Sequence, residues 1–176
     1  MRSVVCDDET FARLVGEGEL YDYELGEKYV VAPAPGGGHA VLQGRIISAL
    51  ALTMSDCDVA GPTNLGVLGQ PGRRWYVVPD VVVLPADAPS DADAYLVAVV
   101  AVEVRSPRED IMAKLADYRA VAGRTGLVVD EVWYVDGDEV VVYPQLREVP
   151  GTTVYTAALE AVTAAIGSWR QRINRR

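Results

Sequence analysis

Two valine-rich runs, each interrupted by one acid, constrain this chain more than any other feature. The first is Tyr76-Val77-Val78-Pro79-Asp80-Val81-Val82-Val83-Leu84; the second runs from Leu96 to Arg105 and carries Glu103. β-Branched residues in such runs read as strands. The segment between them, Pro85 to Ala94, is polar and reads as a surface loop, so the runs pair antiparallel. In that pairing Asp80 and Glu103 fall within about one strand step of facing each other. Like charges facing across a ladder are destabilising, and a carboxylate set into an apolar surface must be paired, hydrogen-bonded or metal-bound. A divalent cation between the two acids is the best candidate.

At 176 residues the chain reads as one domain, 1–176, with a core over about 20–145 and a C-terminal helix over about 155–173. Such a domain buries roughly two thirds of its unfolded surface. A net charge of −9 argues against a broad nucleic-acid surface, although an enzyme needs only a local positive groove. Arg73-Arg74 and the tail arginines Arg170, Arg172, Arg175 and Arg176 are basic clusters that read most simply as solvated charges. No apolar run reaches the ~18 residues of a membrane span, and the N-terminus turns acidic too soon for a signal peptide. Cys6 and Cys57 show no metal or redox spacing, which fits free thiols in a reducing cytoplasm.

Along the chain, Thr10 to Gly18 reads as a short helix and Leu20 to Val31 as a hairpin turning at Gly26-Glu27. The segment Ala32 to Gly38, rich in Pro and Gly, reads as irregular. A helix starts at His39, with Val41, Leu42, Ile46, Ala49, Leu50 and Met54 at helical spacing, and ends near Ser55-Asp56. Short strands follow around Val59 and Leu65–Leu68, then the two acid-bearing runs. Pro107 to Ala122 reads as a second helix closed by Gly123, and Leu127 to Asp130 as an extended insertion. Glu131–Val135 and Asp138–Tyr143 form a hairpin with a type I′ signal at Asp136-Gly137. The last helix, about Tyr155 to Ile173, carries Ala158, Leu159, Val162, Ala165, Ile166 and Trp169 on one face. This order predicts an α/β or α+β fold, its central antiparallel strands covered by helices.

In the second helix, Ile111, Leu115, Tyr118 and Ala122 share a stripe with Lys114 at its edge. Since that helix follows the Glu103 strand directly, the Lys114 ammonium can reach the carboxylates; the simpler reading is a lysine snorkelling at the core boundary.

Pro79-Asp80, Glu103-Val104-Arg105-Ser106-Pro107, Asp110-x-x-x-Lys114-x-x-x-Tyr118 and Glu131-Val132-Trp133-Tyr134-Val135-Asp136 together resemble the Uma-two family of restriction endonucleases, in the PD-(D/E)XK nuclease superfamily. The Tyr23-Glu24-Leu25-Gly26-Glu27 hairpin and the His39 helix are similar to the family's opening. The resemblance implies a restriction-endonuclease-like core: a central mixed β-sheet flanked by helices, with an N-terminal β-hairpin. It implies Asp80 and Glu103 as ligands of Mg²⁺ or Mn²⁺, with the Val104 carbonyl completing the site. The superfamily's lysine position, two residues after the glutamate, is Arg105 here; within the family the lysine comes from the next helix, matching Lys114. Glu24 resembles the family's N-terminal acid, and His39 would line the same cleft. Two departures concern the reach of Lys114: the stretch Ser106 to Asp110 is short, and Arg124 to Asp130 looks inserted.

This reading implies metal-assisted hydrolysis of phosphodiester bonds in DNA, by a homodimer in the cytoplasm with no membrane partner. The alternative is a nuclease-like fold retained as a protein-binding or regulatory module, its acids held by Arg105, Lys114 or backbone donors; the −9 charge suits it. Serine-hydrolase chemistry has no support, since there is no Gly-x-Ser-x-Gly and His39 is the sole histidine. Tyr118 and Trp133 read as core aromatics.

Overall fold

A computed structural model describes residues 2–4, 20–25, 28–33, 37–67, 75–89, 94–105 and 110–173, with side chains described over 37–171 of that set. The expected helix at Thr10–Gly18 lies outside these residues.

The strands are β1 (Arg2–Val4), β2 (Leu20–Leu25), β3 (Lys28–Pro33), β4 (Cys57–Ala60), β5 (Leu65–Val67), β6 (Trp75–Val77), β7 (Val81–Pro85), β8 (Val97–Val104), β9 (Val128–Asp136) and β10 (Glu139–Pro144). Among the described residues three helices join them: α1 (Gly37–Thr53), α2 (Ile111–Thr125) and α3 (Thr156–Ile173). One five-stranded sheet has the order β1-β3-β2-β6-β5, the other β10-β9-β8-β7-β4. In the second sheet β8 and β9 are parallel and the remaining pairs antiparallel. This is the expected mixed sheet flanked by helices. The parallel pair requires a crossover, and α2 supplies it.

The second sheet is buried on both faces. Val81, Val83, Val100, Val102, Val104, Trp133 and Val135 pack with α1 and α3. Val82, Leu84, Ala101, Val132 and Tyr134 pack with Leu115, Tyr118 and Val121 of α2 on the other side. Two covered faces explain why β7 and β8 are continuous apolar runs rather than alternating ones.

The first valine run is not one strand. Its leading part is β6, in the first sheet, and its trailing part is β7, in the second. The break falls at Val78-Pro79-Asp80, where Pro79 has no N–H to give a ladder. The chain therefore passes from one sheet to the other immediately before the acid. A second tie joins the sheets: Gly66 donates its N–H to the Tyr95 carbonyl at 2.8 Å, and Tyr95 donates to Asn64 at 3.0 Å.

Other boundaries also differ from expectation. Ala32 and Pro33 belong to β3, while Gly37 and Gly38 form the first turn of α1, so the segment is regular at both ends. Helix α2 begins later and ends later than its pattern suggested. Asp110 caps it, accepting from the Met112 N–H at 2.9 Å, and Gly126 rather than Gly123 closes it, in the left-handed conformation. Leu127 to Asp130 is no insertion; it leads into β9, whose Val128 and Val129 pair with Val97 and Ala98. The β9–β10 turn is Gly137-Asp138, with positive φ at Gly137 alone, a type II′ pattern instead of type I′. In the β2–β3 register Leu25 lies opposite Lys28, and the expected turn residues Gly26 and Glu27 lie outside the described residues. Among the described residues no helix is long and apolar enough to cross a membrane.

Two glycines give opposite expectations. Gly66 has φ +134°, and a Cβ there would collide with the Trp75 carbonyl oxygen. Gly66→Ala should cost more than about 2 kcal/mol in urea denaturation. Gly44 lies exposed within α1, and a methyl added there would meet nothing within 4 Å. Gly44→Ala should therefore gain about 0.5–1 kcal/mol in the same measurement.

Candidate active site

Val81 pairs with Val102, so continuing the antiparallel register by one step sets Asp80 opposite Glu103. The two acids occupy the same end of the β7–β8 pair, as the valine runs predicted. Their side chains are gripped from different helices.

Asp80 stands just before β7, outside the ladder, so strand alternation does not dictate where its carboxylate goes. Its Oδ2 accepts the Val104 N–H at 2.7 Å. Thus the carboxylate caps a donor of β8 at the residue adjoining Glu103. Its Oδ1 lies 2.9 Å from His39 Nε2 and accepts from Gln43 Nε2 at 3.1 Å; the same Gln43 amide also donates to the Asp80 carbonyl at 3.0 Å. His39 and Gln43 are one helical turn apart on α1, which places both on one face.

Glu103 lies within β8 and is 1% exposed. Its Oε2 accepts from Lys114 Nζ at 2.7 Å and its Oε1 from the Tyr118 hydroxyl at 2.9 Å. Lys114 and Tyr118 are again one turn apart, on α2. Each acid is therefore held by a pair of side chains four residues apart, one pair from each face of the sheet. Strand alternation carried back from Val82 would set Asp80 on the α2 face; its partners lie instead on α1, across the sheet.

Of the other sequence-predicted residues, Val104 contributes its N–H to Asp80. Arg105 is half exposed and pairs with Asp136 at 2.6 Å, whose carboxylate holds the guanidinium above its ordinary pKa. Its described salt bridge faces neither acid. Glu24 is on β2, opposite Tyr29, and its side chain lies outside the described set. β2 neighbours β6, the strand that leads through Pro79 to Asp80.

Sequence reasoning passed over Gln43, hidden between Leu42 and the rest of the apolar stripe; a polar residue on a buried helical face was the available signal. It also read Tyr118 as core alone. Tyr118 is fully buried, yet its hydroxyl serves Glu103. Glu131, 3% exposed, is a different case: Trp133 Nε1, Thr153 Oγ1 and the Val154 N–H all donate to it, which anchors the segment before α3 to β9.

Among the described residues no three of His, Cys, Asp and Glu converge as a metal-holding group. The oxygen donors at this strand end are the Asp80 carboxylate, on the Val104 N–H, and the Glu103 carboxylate, which Lys114 and Tyr118 hold from the opposite face of the sheet. Hard oxygen donors of this kind suit Mg²⁺ or Mn²⁺ better than zinc, and Asp80 Oδ2 has only the Val104 N–H as its described donor.

The profile of the Uma2 family, described as "Putative restriction endonuclease", matches residues 8–169. The chain belongs to the Uma2 family. Among solved structures it is similar to one described as a "putative nuclease" from Anabaena variabilis, at 15% identity, with a TM-score of 0.62, over 84% of this chain and 92% of that one. At that identity the likeness is one of fold. No curated protein sequence matches the chain. In this Uma2 protein, the Asp80 and Glu103 ends of β7 and β8 are thus set on a nuclease-like scaffold.

The Lys114–Glu103 pair gives a stability test. Removing one partner of a buried ion pair costs about 3–5 kcal/mol, because the other charge stays buried and uncompensated. Lys114→Met should lose stability on that scale by urea denaturation. The double variant Lys114→Met/Glu103→Gln should recover most of the loss, whereas a pair of no consequence would give additive small effects.

Proposed function

We propose that this Uma2 protein is a metal-dependent nuclease of PD-(D/E)XK type that hydrolyses phosphodiester bonds in DNA. The observation that carries the reading is the meeting of Asp80 with the Glu103–Val104 end of β8, through the 2.7 Å bond from Val104 N–H, with Lys114 on Glu103. Asp80, Glu103 and the Val104 carbonyl would hold Mg²⁺ or Mn²⁺, with Glu24 as a further acid. When bound, such a cation supplies charge to a phosphoryl oxygen and makes a nearby water more acidic.

The chain's own residues divide the remaining work. Lys114, 13% exposed at the edge of the core, is the cation placed to meet charge developing on a phosphate. It can also give up a proton, which Arg105 cannot readily do. Arg105 is moreover engaged by Asp136 at the surface, which favours Lys114 for the catalytic role. His39 sits against Asp80 Oδ1 from the α1 side. A homodimer would supply two such sites for two strands.

One observation favours a second reading, a nuclease-like fold kept as a protein-binding module. Both oxygens of each acid have a protein partner within hydrogen-bond distance, so the carboxylates are satisfied without a cation. The −9 charge is also unusual for a DNA-binding surface.

The two readings separate in one experiment. Calorimetry with Mn²⁺ and nicking of supercoiled plasmid would be measured for the natural protein and for Asp80→Asn. The nuclease predicts Mn²⁺ binding and nicking, both reduced at least about tenfold in the variant. Neither binding nor nicking in the natural protein at millimolar Mn²⁺ would remove the proposal and leave the binding module.

A further inference from the structure

Gln43 is buried, 7% exposed, in the second turn of α1. It gives both of its described bonds to a single residue: the Asp80 main-chain carbonyl at 3.0 Å and the carboxylate Oδ1 at 3.1 Å. Both partners are acceptors, so only the amide NH₂ satisfies them; with the group reversed, its oxygen would face two oxygens. The two bonds fix different things. The one to the carbonyl holds the backbone at the crossing between sheets, just after Pro79. The one to Oδ1 fixes the side-chain torsion and thereby aims Oδ2 at the Val104 N–H, 2.7 Å away.

We infer that Gln43 is the positioning residue of the site, locking Asp80 in place against the end of β8. His39 touches the same Oδ1, but as an imidazole its capacity to donate depends on tautomer and protonation. The Gln43 amide carries no charge and donates at every pH at which the protein is folded. Burial of Gln43 strengthens the effect, because its amide has little access to water as an alternative partner. Residues that orient a ligand in this way typically change metal affinity by about 10–100-fold when removed. The link to metal affinity rests on the nuclease reading; the positioning of Asp80 does not.

The experiment follows Asp80 from its far side, without a cation. Amide hydrogen exchange of Val104 would be measured by NMR in the natural protein, in Gln43→Met, which keeps the side chain's length without its donors, and in Gln43→Glu, which replaces the NH₂ with an acceptor. The expected result is exchange at Val104 faster by at least about tenfold in each folded variant, with Val102, inside the ladder, unchanged. Calorimetry with Mn²⁺ alone should then show at least about tenfold weaker binding. Val104 exchange within twofold of the natural protein in either folded variant would overturn the inference. Faster exchange in a protein that binds no Mn²⁺ at all would support the positioning role and count against the nuclease reading only.

Discussion

The central constraint is the burial of β7 and β8 on both faces. Val81 and Val83 pack under α1 and α3, while Val82 and Leu84 pack under α2. Glu103, 1% exposed at the end of this sheet, has no solvent in which to place its charge and must be satisfied by what covers it, whereas Asp80 is only part-buried. Leaving a buried carboxylate unpaired would cost several kcal/mol, a large part of a domain's net stability of about 5–15 kcal/mol. The helices meet that requirement with the simplest device available to them, two polar side chains one turn apart. His39 and Gln43 do so for Asp80, and Lys114 and Tyr118 for Glu103.

From this follows the character of the site. Glu103 is held within the ladder, with an ammonium on one oxygen and a phenol on the other. Asp80 sits just beyond the ladder, freed by Pro79 from strand geometry, and turns back to cap the next donor of β8. The helix α2 serves twice, as the crossover that makes β8 and β9 parallel and as the carrier of Lys114. That double duty explains how a lysine eleven positions after the glutamate reaches it directly. The position two residues after the glutamate, Arg105, is left to the surface and to Asp136.

Much of this was legible in the sequence because valine density and turn composition fix strand pairing. The register of Asp80 against Glu103 needed only the loop between the runs, and Lys114 needed only helical spacing. What the sequence concealed was sheet membership. A valine-rich run reads much the same whether it lies in one sheet or crosses between two; Pro79-Asp80 marks a break in the sequence, but that the chain changes sheets there shows only in three dimensions. That crossing is why Asp80 finds its partners on α1. Gln43 was hidden for a related reason: its importance lies in a contact 37 positions away, which no local pattern reports. Gly123 drew the end of α2 too early, since a glycine without a required positive φ is tolerated inside a helix, whereas Gly126 adopts one.

The claim that two acids meet at one strand end to grip a cation is tested most directly by anomalous X-ray scattering from crystals grown with Mn²⁺. The account predicts one strong peak bonded at about 2.0–2.3 Å to a carboxylate oxygen of Asp80 and one of Glu103. Scattering confined to surface acids, with Asp80 still on Gln43 and Val104 and Glu103 still on Lys114 and Tyr118, would contradict it.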